Sequence, residues 1–315
     1  MHGRVNRILT LLSAGTDYGV LGMFSYKHFS ILLISSTMFA ASACAADIVS
    51  PPDQLAAVSE INGKLEFGGG FGGMTGFSNT NPVYGDGSIT MPLGNAFGLQ
   101  GDFAVDNQFG QTEIGGAAHL FTRDPNRYLL GVMGGYASFG QASGAWIGPE
   151  AELYADRISF EAIGGYIRVT PNGLNGFDKL YAVGNIGYYA TNNLRFTIGA
   201  GTVADFKSAH LGAEYLLSDV GVPVSLKLDG RIGDNNFYSA TAGIEIYFGG
   251  PSKDLIRRQR EDDPPNGVQS LFSAGGVNLG VQPASGPACI YNTEFPTESA
   301  INEPCIGPPT RPNDT

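Results

Sequence analysis

The chain has 315 residues, a net charge of −11 and only 15% charged residues. That excludes a disordered polyelectrolyte and a basic nucleic-acid binder, and it offers no polybasic surface to anionic lipid. Glycine is the outlier at 46 residues, about twice the usual ~7% share, and this argues against a mainly helical protein because each interior glycine costs a helix roughly 1 kcal/mol.

The N-terminal region has the layout of a targeting segment. Met23-Phe24-Ser25-Tyr26-Lys27 forms a short basic start, Ile31-Leu32-Leu33-Ile34 an apolar centre, and Ala41 to Ala46 a small-residue cleavage zone. Residues 1–46 therefore read as a secretory signal peptide, with Met23 as its start. The apolar centre is too short for a membrane anchor. Acylation of Cys44 is a second option, although Ala41 stands where a lipobox carries a larger aliphatic residue. Residues 47–59 read as a short periplasmic leader.

Residues 60–248 carry a period of two. Val224, Leu226, Leu228, Gly230 and Ile232 alternate with Ser225, Lys227, Asp229 and Arg231, and the same pattern recurs in 97–105, 113–120 and 238–248. Strict alternation is the signal of a strand with two unlike faces. Turn residues divide the region into about twelve segments: 60–71, 87–94, 96–105, 112–122, 127–138, 146–155, 157–169, 179–190, 193–204, 206–217, 222–233 and 236–248. Every second junction is tight, as at Gly94-Asn95 and Asn192-Asn193, and the others are often longer, as at 72–86 and 170–178.

The expected fold is an all-β transmembrane antiparallel barrel of about twelve strands. Most segments have the length that crosses a bilayer when tilted, whereas soluble strands have a mode near 5–6 residues. Residues 47–248 hold only ten Lys and Arg, too few for a water-facing outer surface. Aromatics cluster towards the segment ends: Phe121, Tyr128, Tyr154, Phe160, Tyr188, Phe196, Tyr215 and Phe248 on one side. On the other side are Tyr136, Phe139, Trp146, Tyr166, Tyr181, Phe237 and Tyr238. They read as two interfacial girdles.

The charged face predicts the lining of the lumen. It comprises Lys64 and Glu66 in the first segment, Asp102, Glu113 and His119 in the third and fourth, and Glu150, Glu152 and Glu161 in the sixth and seventh. Arg195, His210 and Glu214 follow in the ninth and tenth, then Lys227, Asp229, Arg231 and Glu245 in the last two. Nine are carboxylates and four are strong bases. Charges on one strand face need water or partners, so they either line a cation-favouring passage or pair across a filled lumen.

Residues 249–315 hold ten of the 18 prolines and read as a largely irregular periplasmic tail, with one helical turn at 252–260. Its basic residues Arg257, Arg258 and Arg260 are expected just below the membrane rim, available to an acidic periplasmic partner of the tail or to the acidic lumen mouth. Cys289 and Cys305 are expected to pair as a disulfide in an oxidising compartment.

The last segment, Thr241-Ala242-Gly243-Ile244-Glu245-Ile246-Tyr247-Phe248, resembles the signal by which outer-membrane barrels are recognised by the barrel-assembly machinery, although the chain continues for 67 residues beyond it. Phe97-Gly98-Leu99-Gln100-Gly101-Asp102-Phe103, Gly115 to Pro125, Glu150 to Tyr154 and the basic run at 253–260 are together similar to porin-like outer-membrane β-barrel proteins of Gram-negative bacteria, over about residues 60–265. The resemblance implies fold and location, with outer-membrane lipid as surroundings. It transfers no catalytic residue.

Chemical motifs are sparse. Gly68 to Gly73 lacks the lysine and helix of a phosphate-binding loop. Asp86, Asp178 and Asp234 stand near loops as candidate cation contacts, too far apart to form a metal motif. Ser208 and His210 share the inward face. No catalytic, cofactor or metal set is expected. The leading function is porin-like passage of small, preferably cationic, solutes. The alternatives are a closed structural barrel tethered to the periplasm by its tail and, more weakly, a membrane lipid hydrolase using Ser208 and His210.

Overall fold

The computed structural model describes residues 55–217, 221–250, 253–262, 264–276 and 279. The expected signal peptide, Cys44, most of the leader and the Cys289–Cys305 pair lie outside these described residues.

Twelve strands form in chain order. They are β1 (Asn62–Gly73), β2 (Val83–Leu93), β3 (Phe97–Gln108), β4 (Gln111–Asp124), β5 (Tyr128–Phe139) and β6 (Ala142–Ala155). Then follow β7 (Ile158–Pro171), β8 (Phe177–Thr191), β9 (Leu194–Val203), β10 (Phe206–Leu217), β11 (Val224–Gly233) and β12 (Phe237–Phe248). Each pairs antiparallel with its sequence neighbours, and β12 pairs with β1 from Gly63↔Phe248 to Gly73↔Tyr238, which closes the barrel. Closure leaves no sheet edge, the condition for a β wall in a medium without water. No helix among the described residues is long and apolar enough to cross a membrane; the strands do so.

Alternation along each strand separates the two faces. Phe67, Ile89, Phe103, Leu130, Ile147, Ile198, Leu228 and Ile244 all stand exposed on the outside. A continuous apolar surface of this kind is incompatible with water and suits lipid. Part of the glycine excess has a steric reason. A Cβ on Gly148 would lie 1.8 Å from the Gly164 carbonyl oxygen, and one on Gly70 1.9 Å from that of Ala240. The wall strands approach too closely there for any side chain.

Two expectations about the wall are corrected. The contrast between short and long connections is confined to the loops at 74–82 and 172–176. At that same end Phe109-Gly110 and Ala204-Asp205 close their hairpins as two-residue turns with positive φ at both positions. This is the turn whose twist matches the flanking strands. The aromatic girdles are thinner than expected. Phe121, Phe139, Trp146, Tyr154, Tyr181 and Phe237 are buried and face the interior, because their parity along the strand puts them on the inner face.

The tail is where the fold departs most from the periplasmic segment that was expected. Its described part contains α1 (Leu255–Glu261), α2 (Gly267–Leu271) and a π turn (Phe272–Gly276), and these pack against the inside of the wall.

Candidate functional site

The inner wall has two kinds of surface. On β5 to β9, Met133, Ala137, Phe139, Trp146, Ile167, Val169, Tyr181, Val183 and Val203 form an apolar lining. Val268, Leu271, Phe272 and Ala274 of the tail complete this cluster, with Phe272 edge-on to Phe139 at 5.6 Å between centroids. Burying each larger tail side chain contributes roughly 1.5–3 kcal/mol. An apolar patch facing a lumen is unstable against water, and the tail is what covers it.

Polar contacts fix the register of the tail. At the end of the barrel where β1 starts and β12 stops, Asp254 caps α1 by accepting from the Arg257 amide, and the Ile256 amide donates to the Asn192 carbonyl at 3.1 Å. Arg258 is buried and donates to the Gly249 and Gly250 carbonyls. Arg260 lies over the rings of Tyr154 and Tyr189 and donates to the Ile158 carbonyl. The basic run thus spends Arg258 and Arg260 on the barrel rim, while Arg257 pairs with Glu261 within α1. Further in, Lys64 Nζ and Gln100 Nε2 both donate to the Pro264 carbonyl, at 3.1 and 3.3 Å. Asn266 Nδ2 donates to the Gly87 and Phe103 carbonyls. The Gly267 amide donates to Asp102 Oδ2 at 2.6 Å, and Ser208 Oγ to the Ala274 carbonyl at 2.7 Å. The tail therefore runs from the rim at Asn192 inward to the level of Ser208.

The fifteen charged residues expected on the lumen face all project inward, buried or half-buried, and they fall into ionic groups. His119 is held between Asp102 Oδ2 at 2.8 Å and Glu150 Oε2 at 2.7 Å. Lys227 bridges Glu66 and Glu245, at 2.5 and 3.2 Å. Glu214 accepts from the Tyr247 hydroxyl and from Gln259 of α1. Arg195 pairs with Glu161, and Arg231 with Asp229. Lys64 contacts the tail as described. Glu152 accepts from the Tyr154 hydroxyl. Glu113 has an oxygen without a hydrogen-bond partner.

Among the described residues, three further buried charges of the wall fall outside the expected set. Asp86 and Asp106 were missed because β2 starts four residues before the expected segment and β3 runs three residues past it. Arg123 sits near a turn and is buried with its guanidinium over the Phe121 ring. Parity alone, counted from Asp102 to Asp106, was a sufficient signal for the second of these. The other loop acids lie elsewhere: Asp178 pairs with Arg168, and Asp234 accepts from the Lys207 amide.

Beside the tail remains a cavity of about 210 Å³ lined by β6 to β12 and by β1 to β3. Eight carboxylates line it, among them Glu66, Asp106, Glu214 and Glu245, against four Lys and Arg side chains. It reaches from Tyr247 and Gln259 at the rim where β1 starts to Gln108 and Ser239 near the opposite end. The serine–histidine pair is not assembled for catalysis. The Ser208 hydroxyl donates to the tail, the His210 nitrogens face Asp229 and Asn185 at 2.9 Å each, and both side chains point away from lipid.

No protein-family profile and no curated protein matches the chain. Among solved structures it is similar to the KdgM porin in complex with disordered oligogalacturonate, at 10% identity over 58% of this chain and 98% of that one, with a TM-score of 0.43. It is also similar to the translocator domain of the autotransporter NalP from Neisseria meningitidis, at 11% identity over 60% and 87% of the two chains, with a TM-score of 0.41. An active-site mutant of outer membrane phospholipase A from Escherichia coli gives 14% identity over 64% and 94%, with a TM-score of 0.40.

Proposed function

We propose that the protein is an outer-membrane barrel that passes small cations through a narrow passage left beside its own resident tail. The observation that carries this reading is the acidic cavity. It is lined by most of the strands from Tyr247 at one rim to Gln108 and Ser239 near the opposite end, and its carboxylates outnumber its fixed cations by eight to four. A low-dielectric wall lined with excess negative charge concentrates cations and repels anions. The tail narrows the lumen, so the passage suits hydrated ions and small solutes rather than bulky ones. The closing strand, which carries the segment resembling the assembly signal, is paired on both sides with β1 and β11, as a segment read during barrel closure would be.

The extensive tail contacts favour a second reading, a closed structural barrel. Planar bilayers separate the two. Purified full-length protein is expected to give small unitary steps whose reversal potential in a potassium chloride gradient lies on the cation side. Absence of steps at several voltages would favour the closed barrel, and an anion-side reversal would overturn the cation preference.

A further inference from the structure

Carboxylates face each other directly across neighbouring strands at three places on the inner wall. Like charges directly opposite are destabilising unless something neutralises them. In the first place, Glu66 lies between Asp86 on β2 and Glu245 on β12, and Lys227 bridges Glu66 and Glu245. In the second, Glu152 lies opposite Glu161, and Arg195 pairs with Glu161. In the third, Asp106 of β3 lies opposite Glu113 of β4. Among the described residues no lysine, arginine or histidine forms an ion pair with either. Both are buried, at 4% and 2% exposure, and Asp106 Oδ1 and Glu113 Oε1 have no hydrogen-bond partner.

A further oxygen is independent of this pair. Gln108, one inward position beyond Asp106 and 9% exposed, has its Oε1 without a partner. Gln269 of α2 lines the same cavity as Asp106 and Gln108, and its Oε1 also lacks a partner. Its Nε2 is spent on Ser273, which leaves the carbonyl side of the amide unmatched. Arg231 lines that cavity too, with its Nε directed to Asp229. Asp106 stands opposite Glu113 in the ladder and shares its cavity with Gln108 and Gln269, so two carboxylates and two amide side chains offer oxygens on this part of the wall and tail. That is the donor set of a hard divalent cation, and calcium accepts such mixed carboxylate and amide oxygens in flexible geometry.

We infer that Asp106, Glu113 and Gln108 form a calcium-type divalent-cation site on the inner wall, to which Gln269 of the tail adds an oxygen. The cation supplies at this third pair the charge that Lys227 and Arg195 supply at the other two, and it ties the tail to β3 and β4. The site does not depend on whether the barrel conducts.

The test uses full-length protein folded in detergent, stripped with a chelator and titrated with calcium chloride by calorimetry. One saturable site is expected. Asp106→Asn and Glu113→Gln should each weaken calcium binding by about tenfold or more, while Asp205→Asn, in the exposed β9–β10 turn across the barrel, should leave it unchanged. Heat-modifiable migration shows which variants fold. If neither carboxylate variant does, Gln108→Ala serves, with weaker binding expected. Absence of saturable uptake by the wild type would overturn the inference, as would equal calcium affinity in wild type and every folded variant. Either result would mean that a proton, not a metal ion, relieves the pair.

Discussion

Deleting residues 251–315 should leave a folded, heat-modifiable barrel whose unitary conductance is severalfold above that of the full chain. The wall does not need the tail for its hydrogen bonds, since each strand pairs on both sides and β12 pairs with β1. The lumen does need it. Without the tail, Phe139, Trp146, Ile167 and Tyr181 would face water, and the carbonyl and amide groups that meet Lys64, Gln100, Asp102 and Ser208 would be lost. The truncated barrel is therefore expected to unfold at lower denaturant concentration while conducting more. Conductance equal to that of the full chain would place the tail outside the pathway, and failure to assemble would make it part of the barrel's folding unit.

His119→Ala should cost about 3–5 kcal/mol, the range for breaking a buried ion pair by removing one partner. Both ring nitrogens meet carboxylate oxygens, so both donate and the ring serves as the cation between Asp102 and Glu150. Asp102 Oδ2 also accepts the Gly267 amide, so the same residue anchors the start of α2. Alanine at 119 leaves two buried carboxylates without their cation. The loss should appear as a lower urea midpoint in detergent and as faster proteolysis of the tail. An unchanged midpoint together with unchanged tail protection would show that the Asp102–His119–Glu150 group holds neither wall nor tail.

The wall was legible in the sequence because its period of two is enforced by unlike media on its two faces. One side must be apolar for lipid, so residues such as Ile198, Leu211 and Leu228 mark the phase of every strand. Strand number and pairing order followed from that phase and from the turns. The tail was opaque for the converse reason. Its short helices carry few residues, and Val268, Leu271 and Phe272 lie among prolines and glycines that look irregular. The signal that it enters the barrel was on the wall instead. Phe139, Trp146, Ile167, Val169, Tyr181 and Val203 fall at inward parity, where a water-filled lumen has no use for them. Aromatics near strand ends also suit an interface, so Phe139, Trp146 and Tyr181 carry the sequence signal of a girdle as well. The missed acids Asp86 and Asp106 were lost at segment boundaries, where glycine and asparagine suggest a turn before the ladder actually ends.

The central claim, that residues 264–276 occupy the lumen, is tested most directly by a bond between tail and wall. A Cβ on Gly201 of β9 would lie 3.3 Å from Ala274 Cβ, close to the ~3.5–4.5 Å spacing of a disulfide. Gly201→Cys and Ala274→Cys would be combined in a full-length chain whose native cysteines are replaced by serine, and the barrel assembled under mild oxidation. A tail inside the lumen predicts an almost complete intramolecular disulfide, seen by mass spectrometry as a cross-linked peptide pair. Two free thiols, both alkylated in the folded barrel, would contradict it.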